Sequence, residues 1–78
     1  MGTNLIKKFK LFVYKEDCHE TGEGYGCEMM IIAAEDIDEA MQLASVITSP
    51  LEEYMYELPN ASICLCNPRI LDSVSYWE

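Results

Sequence analysis

The sequence contains little positive charge and almost no histidine. Its 78 residues include five Lys or Arg, one His and 14 Asp or Glu, which gives a formal net charge of −9. All of the acids lie from Glu16 onward, where Arg69 is the only basic residue that opposes them. Proteins that bind nucleic acids hold the phosphates with Lys and Arg. The composition therefore argues against direct nucleic-acid binding. It is compatible with a protein partner that has a basic surface, because complementary charge steers association, and equally with an acidic surface that serves solubility alone.

Long apolar runs are also missing. No stretch of 18 apolar residues is present, which predicts that nothing spans a membrane. Residues 1–12 lack the continuous apolar block of a signal peptide. We therefore expect a cytoplasmic protein, in which cysteines are reduced. Half of the residues are hydrophobic, which favours one folded domain over residues 1–78 with a small core.

The hydrophobic period predicts two strands followed by a helix. Residues 5–15 alternate, so that Phe9, Leu11 and Val13 share one face and Lys8, Lys10, Phe12 and Tyr14 share the other. Residues 26–34, GCEMMIIAA, are typical of a central strand that is covered on at least one face. Residues 37–47 then have apolar side chains at helical spacing. Asp36 is suited to cap this helix, with Glu39 reaching back as in a capping box.

The remainder of the chain predicts a second helix and two more strands. In SPLEEYMYELPN, residues 49–60, Ser49 is suited to cap a short helix that Pro59 and Asn60 end. Residues 62–66 and 70–76 predict the last two strands. The expected fold is a small α+β domain of order β-β-α-α-β-β, with one or two helices on one face of an antiparallel sheet.

Residues 18–27, CHETGEGYGC, are the first candidate for a chemical site. The stretch does not fit a phosphate loop, because no helix follows it and Glu20 and Glu23 lie inside it. A cysteine nucleophile needs a nearby base, and His19 is the only histidine, with no third group to orient it. A disulfide between Cys18 and Cys27 remains an alternative. We interpret the stretch as an acidic hairpin loop and expect no enzyme activity.

The cysteines also define an alternative function. Small domains with limited cores can depend on structural zinc, and the candidate ligands are Cys18, Cys27, Cys64 and Cys66. Their spacing is not that of a zinc knuckle, because the C-x₂-C turn is missing. We therefore expect no cofactor and keep a zinc-stabilised accessory or regulatory domain as the second hypothesis.

Clustered carboxylates and exposed aromatics are the better candidates for binding. The acids occur in pairs at the predicted helix starts, where they also complement the helix dipole. Tyr56 falls outside the predicted apolar stripe, and aromatic residues of this kind are common anchors at interfaces. The predicted partner-binding residues are Glu35, Asp36, Asp38, Glu39, Glu52, Glu53, Tyr56 and Trp77.

In length, in the β-β-α order that ends in EDIDEAMQLA and in these clustered acids, the chain resembles the small acidic anti-CRISPR proteins that phages encode against host defence. The resemblance implies an inhibitor that binds a CRISPR effector complex and blocks DNA recognition or cleavage. The four lysines in and beside the first strand depart from a uniformly acidic mimic. A homodimer through an exposed edge strand is compatible with this function.

Overall fold

The computed structural model describes residues 5–18 and 26–77, and it describes residues 17, 18, 26, 76 and 77 by their backbone only. These ranges form four strands, one α-helix and one 3-10 turn. In chain order they are β1 (Lys7–Cys18), β2 (Gly26–Ala34), α1 (Ile37–Ala44), the 3-10 turn (Glu52–Tyr54), β3 (Met55–Leu65) and β4 (Arg69–Trp77).

The strands form one antiparallel sheet of order β3-β1-β2-β4. β1 pairs with β2 from Lys10 opposite Ala34 to Cys18 opposite Gly26. Residues 18–27 therefore join two antiparallel neighbours, as the sequence predicted, although residues 19–25 lie outside the described ranges. The predicted α+β class and the central position of β2 are confirmed.

The main core lies between the sheet and α1. Because side chains alternate along a strand, Phe12 and Tyr14 of β1 share a face with Met30 and Ile32 of β2, and all four are at most 2 % exposed. Ala40 and Ala44 of α1 pack against this cluster. Burying each large apolar side chain stabilises the fold by about 1.5–3 kcal/mol. We call this side of the sheet the helix face.

Two carboxylates at the start of α1 cap the helix by accepting hydrogen bonds from backbone N–H groups. The Asp36 backbone is extended, and its Oδ1 accepts a 2.8 Å hydrogen bond from the Glu39 backbone N–H. Glu39 Oε1 in turn accepts from the backbone N–H of Glu35 at 2.8 Å, one residue earlier than in a standard capping box. The predicted cap is therefore confirmed. The helix ends at Ala44 and continues as a turn through Ile47.

The predicted second helix over residues 49–60 is wrong. Only Glu52–Tyr54 are helical, as one 3-10 turn, and β3 begins at Met55. Met55 pairs with Tyr14 of β1 and is 5 % exposed, while the next residue, Tyr56, is 51 % exposed. A strand buries Met55 and gives its backbone partners in β1, which outweighs the local capping signal at Ser49.

Pro59 and Asn60 therefore lie inside a strand instead of ending a helix. The pairing of β1 with β3 shifts between Lys10 and Phe12, where β3 contains additional residues. Asn60 has φ of 59°, in the left-handed region that Asn tolerates better than most residues. Pro59 offers no N–H to the ladder, so both residues suit this irregularity.

The opposite side of the sheet has no helix against it within residues 5–18 and 26–77, and we call it the open face. The register aligns two rows of side chains across it. One row is Tyr56, Val13, Ile31 and Asp72; the other is Lys15, Met29 and Val74. Phe9 is buried near one end of this face, with Lys7 Nζ 5.8 Å from its ring centroid.

Candidate functional site

The first group of predicted binding residues surrounds the start of α1. Glu35, Asp36 and Asp38 are exposed, and negative charge at a helix N-terminus is stabilised by the unpaired backbone N–H groups there. Glu35 Oε2 accepts a 2.8 Å hydrogen bond from Lys7 Nζ. This contact raises the pKa of Lys7. Three of the four acids thus have structural contacts, and Asp38 has none among the described residues.

The second group lies beyond the other end of α1. Glu52 and Glu53 are exposed in the 3-10 turn. Ala34, which precedes Glu35, lies opposite Lys10, and Met55, which follows the 3-10 turn, lies opposite Tyr14. The two groups therefore join the sheet about 13 Å apart along β1. Between residues 35 and 54 the chain has six acids and no Lys or Arg. We call these six the acidic surface: Glu35, Asp36, Asp38, Glu39, Glu52 and Glu53.

The helix face adds carboxylates that sequence analysis did not select. Glu57 is exposed, while Glu16 and Glu28 lie directly opposite each other on β1 and β2. Glu28 Oε1 is buried without a hydrogen-bond partner among the described residues. Strand alternation could have found Glu16, since it is two residues from Tyr14. The position of Glu28 depends on the register between strands, which one sequence does not reveal.

Tyr14 connects this pair to the 3-10 turn. Its hydroxyl donates a 2.5 Å hydrogen bond to Glu16 Oε1 and accepts one of 3.2 Å from the Leu51 backbone N–H. Burial, followed by the bond to Glu16, raises the pKa of Tyr14 to about 12. The ring meets that of Tyr54 edge to face, with centroids 6.4 Å apart. The Tyr14 hydroxyl therefore stays protonated at neutral pH. Its hydrogen bonds help to position residues 51–54.

The predicted aromatic anchors are not both placed beside the acids. Tyr56 lies on the open face, on the other side of the sheet from α1. The backbone of Trp77 pairs with Gly26 at one end of β4, and its side chain lies outside the described part. The structure therefore divides the predicted site, with carboxylates on one side and Tyr56 on the other.

The four-cysteine zinc site is inconsistent with the register. Cys27 pairs with Asp17 and Cys64 pairs with Lys8, nine positions apart on β1. That separation is about 30 Å along a strand, whereas zinc–sulfur bonds are about 2.3 Å long. Among the described side chains, Cys27, Cys64 and Cys66 form no disulfide with one another. In residues 5–18 and 26–77 no three His, Cys, Asp or Glu side chains form a group that could hold a metal.

The proposed disulfide and the histidine fall partly outside the described residues. The register places Cys27 opposite Asp17 and Cys18 opposite Gly26. The Cys18 side chain and His19 are among the positions that the structure does not describe. The hairpin itself is confirmed, and the chemistry of residues 18–27 stays a prediction.

Comparison of the chain with protein-family models, with curated proteins and with solved structures finds no match. None of the helices in the described ranges is long and apolar enough to cross a lipid bilayer. The geometry of the two sheet faces is therefore the basis for the functional proposal.

Proposed function

We propose that the protein is a small non-enzymatic inhibitor that acts in the cytoplasm. Its acidic surface binds a basic nucleic-acid-binding site on a larger complex, in the manner of an anti-CRISPR protein that blocks DNA recognition or cleavage. The observation that carries the proposal is the run of negative charge along the helix layer. Residues 35–54 contain six acids and no Lys or Arg, and Lys7 is the one cation among the described residues that pairs with any of them.

The acidic surface is suited to an electrostatic partner. Asp38, Glu52 and Glu53 are exposed, and their carboxylates have no hydrogen bond or ion pair within the described ranges. Their charge is thus not neutralised inside the protein. A channel that binds DNA concentrates Lys and Arg, and exposed carboxylates can occupy such cations in place of phosphates. The attraction acts over a Debye length of about 8 Å at physiological salt, so it steers association before contact.

A fixed arrangement of the carboxylates favours this binding mode. The capping bonds of Asp36 and Glu39 orient the first turn of α1, and the Leu51–Tyr14 bond fixes the approach to Glu52. Preorganised charges lose less conformational entropy on binding than charges on a flexible tail. The hydrogen bonds that hold both groups of carboxylates in place therefore support the proposed recognition.

The test is retention of a CRISPR effector complex by the tagged protein. Nuclease-treated bacterial lysates that express such complexes supply the partner, which is identified by mass spectrometry and challenged with target DNA. We expect a basic nucleoprotein that DNA displaces. The variant Asp38→Asn/Glu52→Gln/Glu53→Gln should lower its affinity about tenfold, since each exposed charge contact contributes roughly 0.5 kcal/mol.

A matched pair of aspartates supplies the control. Asp38 and Asp72 are both exposed, but Asp38 lies on the acidic surface and Asp72 on the open face. Asp38→Asn should weaken retention, and Asp72→Asn, with the same change in charge and shape, should leave it unchanged. Equal effects of the two changes, or retention that DNA and salt do not reduce, would contradict the proposal.

A further inference from the structure

The open face has the features of an interface. Four apolar side chains on it remain between 41 % and 56 % exposed, in the adjacent rows that cross all four strands. They are Met29, Ile31, Tyr56 and Val74. Together with Val13, three of them line a shallow apolar groove of about 200 Å³. The largest contiguous apolar patch on a small monomer is often a functional surface.

We propose that a second copy of this chain covers the open face, so that two sheets pack face to face with their helices outward. This inference goes beyond the proposed function and does not depend on it. The domain is thin, with a shortest principal extent of 16 Å, because one face of the sheet has no layer against it within the described ranges. A second sheet, packed about 10 Å away, completes a sandwich.

Charge explains why a second copy fits this face. Two chains with a net charge of −9 each repel one another, so a self-contact must keep the acidic surfaces apart. A face-to-face dimer places both acidic surfaces on the outside. The described side chains of the open face include Lys15 and Arg69 beside Asp72, all exposed, and these do not make the face acidic.

The arrangement of these charges is also self-complementary. Lys15 on β1 and Asp72 on β4 lie on opposite sides of β2, one row apart. A two-fold axis along β2 places β1 of one copy over β4 of the other. Each Lys15 then lies near Asp72 of the second copy, as an isologous interface requires. The offset of one row is about 7 Å, which a lysine side chain can span.

The area is adequate for a reversible dimer. A standard interface buries about 800 Å² per partner, with an apolar core inside a polar rim. The exposed apolar side chains of the open face supply such a core, and the flanking Lys15, Arg69 and Asp72 supply a polar rim. Interfaces of this size range from micromolar to picomolar in affinity.

The experiment is sedimentation equilibrium of the untagged protein from about 1 µM upward, the range in which a micromolar dimer dissociates. We expect a dimer whose dissociation constant rises at least about tenfold in Val74→Lys, because a lysine enters the apolar patch. Val46→Lys is the matched control. Val46 is 82 % exposed just beyond α1, so this change should leave the dimer unaffected.

Two further variants identify the surface. Met29 lies on the inner strand β2 and not on an edge strand, so Met29→Lys should also break the dimer. Lys15→Asp and Asp72→Lys should each weaken the dimer, and the two together should restore it. A monomer up to about 1 mM, or a dimer that resists Met29→Lys and Val74→Lys because it forms through strand edges, would overturn the proposal.

Salt separates this proposal from the inhibitor function. Added salt screens the repulsion between two chains of net charge −9 each. It also weakens the two Lys15–Asp72 pairs, but exposed pairs contribute little, so the net effect should be a stronger dimer. The same salt should weaken binding of a basic partner to the acidic surface. Val74→Lys should abolish the dimer while the effector complex is still retained, so each proposal can fail without the other.

Discussion

The two faces of this sheet are made by the same strands, but they differ in packing and in charge. Ile31 and Ile32 are neighbours in β2, with identical side chains, and their exposures are 41 % and 0 %. Strand alternation sends one to the open face and the other beneath α1. The helix layer carries six acids, and the open face carries Lys15, Arg69 and Asp72 around exposed apolar residues. A chain of 78 residues can thus present two separate surfaces with different chemistry.

The largest expected effect comes from this pair of isoleucines. Ile32→Ala removes packing from the closed core and should cost about 2–5 kcal/mol of unfolding free energy. Ile31→Ala removes a half-exposed side chain and should cost less than about 1 kcal/mol. Urea denaturation measures both values, at a concentration where sedimentation shows the protein to be monomeric. Similar losses for the two variants would show that the open face is covered within a single chain.

The next effect comes from the two tyrosines on opposite faces. Tyr14→Phe leaves the Glu16 carboxylate and the Leu51 N–H without their partner and should cost about 1–3 kcal/mol. Tyr56 is 51 % exposed, and Tyr56→Phe should change little in a dilute sample. The pH dependence of unfolding tests the same difference.

The sign of that dependence follows from the raised pKa of Tyr14, about 12 in the folded protein against about 10 in an unfolded chain. Below pH 10 both states keep the proton and the contribution is fully present. Between pH 10 and 12 the unfolded state loses its proton first, so stability falls as the pH rises. Tyr14→Phe should remove this part of the alkaline loss, which Tyr56→Phe should retain. An unchanged alkaline profile in Tyr14→Phe would contradict the assigned network.

Local patterns in the sequence were sufficient for part of this fold. The alternation of β1, the apolar run of β2 and the cap at Asp36 all depend on residues close together in the chain, and the structure confirms them. The helix predicted over residues 49–60 is wrong because Met55 pairs with Tyr14, which is 41 positions away in the chain. A capping signal of about 1 kcal/mol cannot compete with burial and strand pairing.

The candidate site was predictable in composition but not in arrangement. The carboxylates of the acidic surface are where the helix-start signals predicted them, apart from the change of Glu52 and Glu53 from a helix to a 3-10 turn. Sequence analysis assigns Tyr56 to the same site because Tyr56 lies off the apolar stripe of the predicted second helix. The structure has strand β3 there instead. Its placement on the open face follows from the pairing with Val13, which is long-range information.

The smallest expected effect distinguishes a structural acid from a binding acid within one helical turn. Asp36→Ala removes the bond to the Glu39 N–H and should cost about 1 kcal/mol, while Asp36→Asn keeps an acceptor and should cost only a few tenths. Asp38→Ala loses only its interaction with the helix dipole and should cost about 0.3–0.5 kcal/mol. Urea denaturation midpoints rank the three variants.

Retention of the effector complex should rank Asp36 and Asp38 in the opposite order. Asp36→Asn removes a charge whose oxygen is already engaged with the backbone, whereas Asp38→Asn removes one that has no contact in the described ranges and is exposed. The affinity for a partner that binds the acidic surface through its charges should therefore fall more in Asp38→Asn. If Asp36→Asn had the larger effect on binding, the first turn would matter for the partner through its shape and not through free charge, and the acidic residues would serve mainly to build the helix.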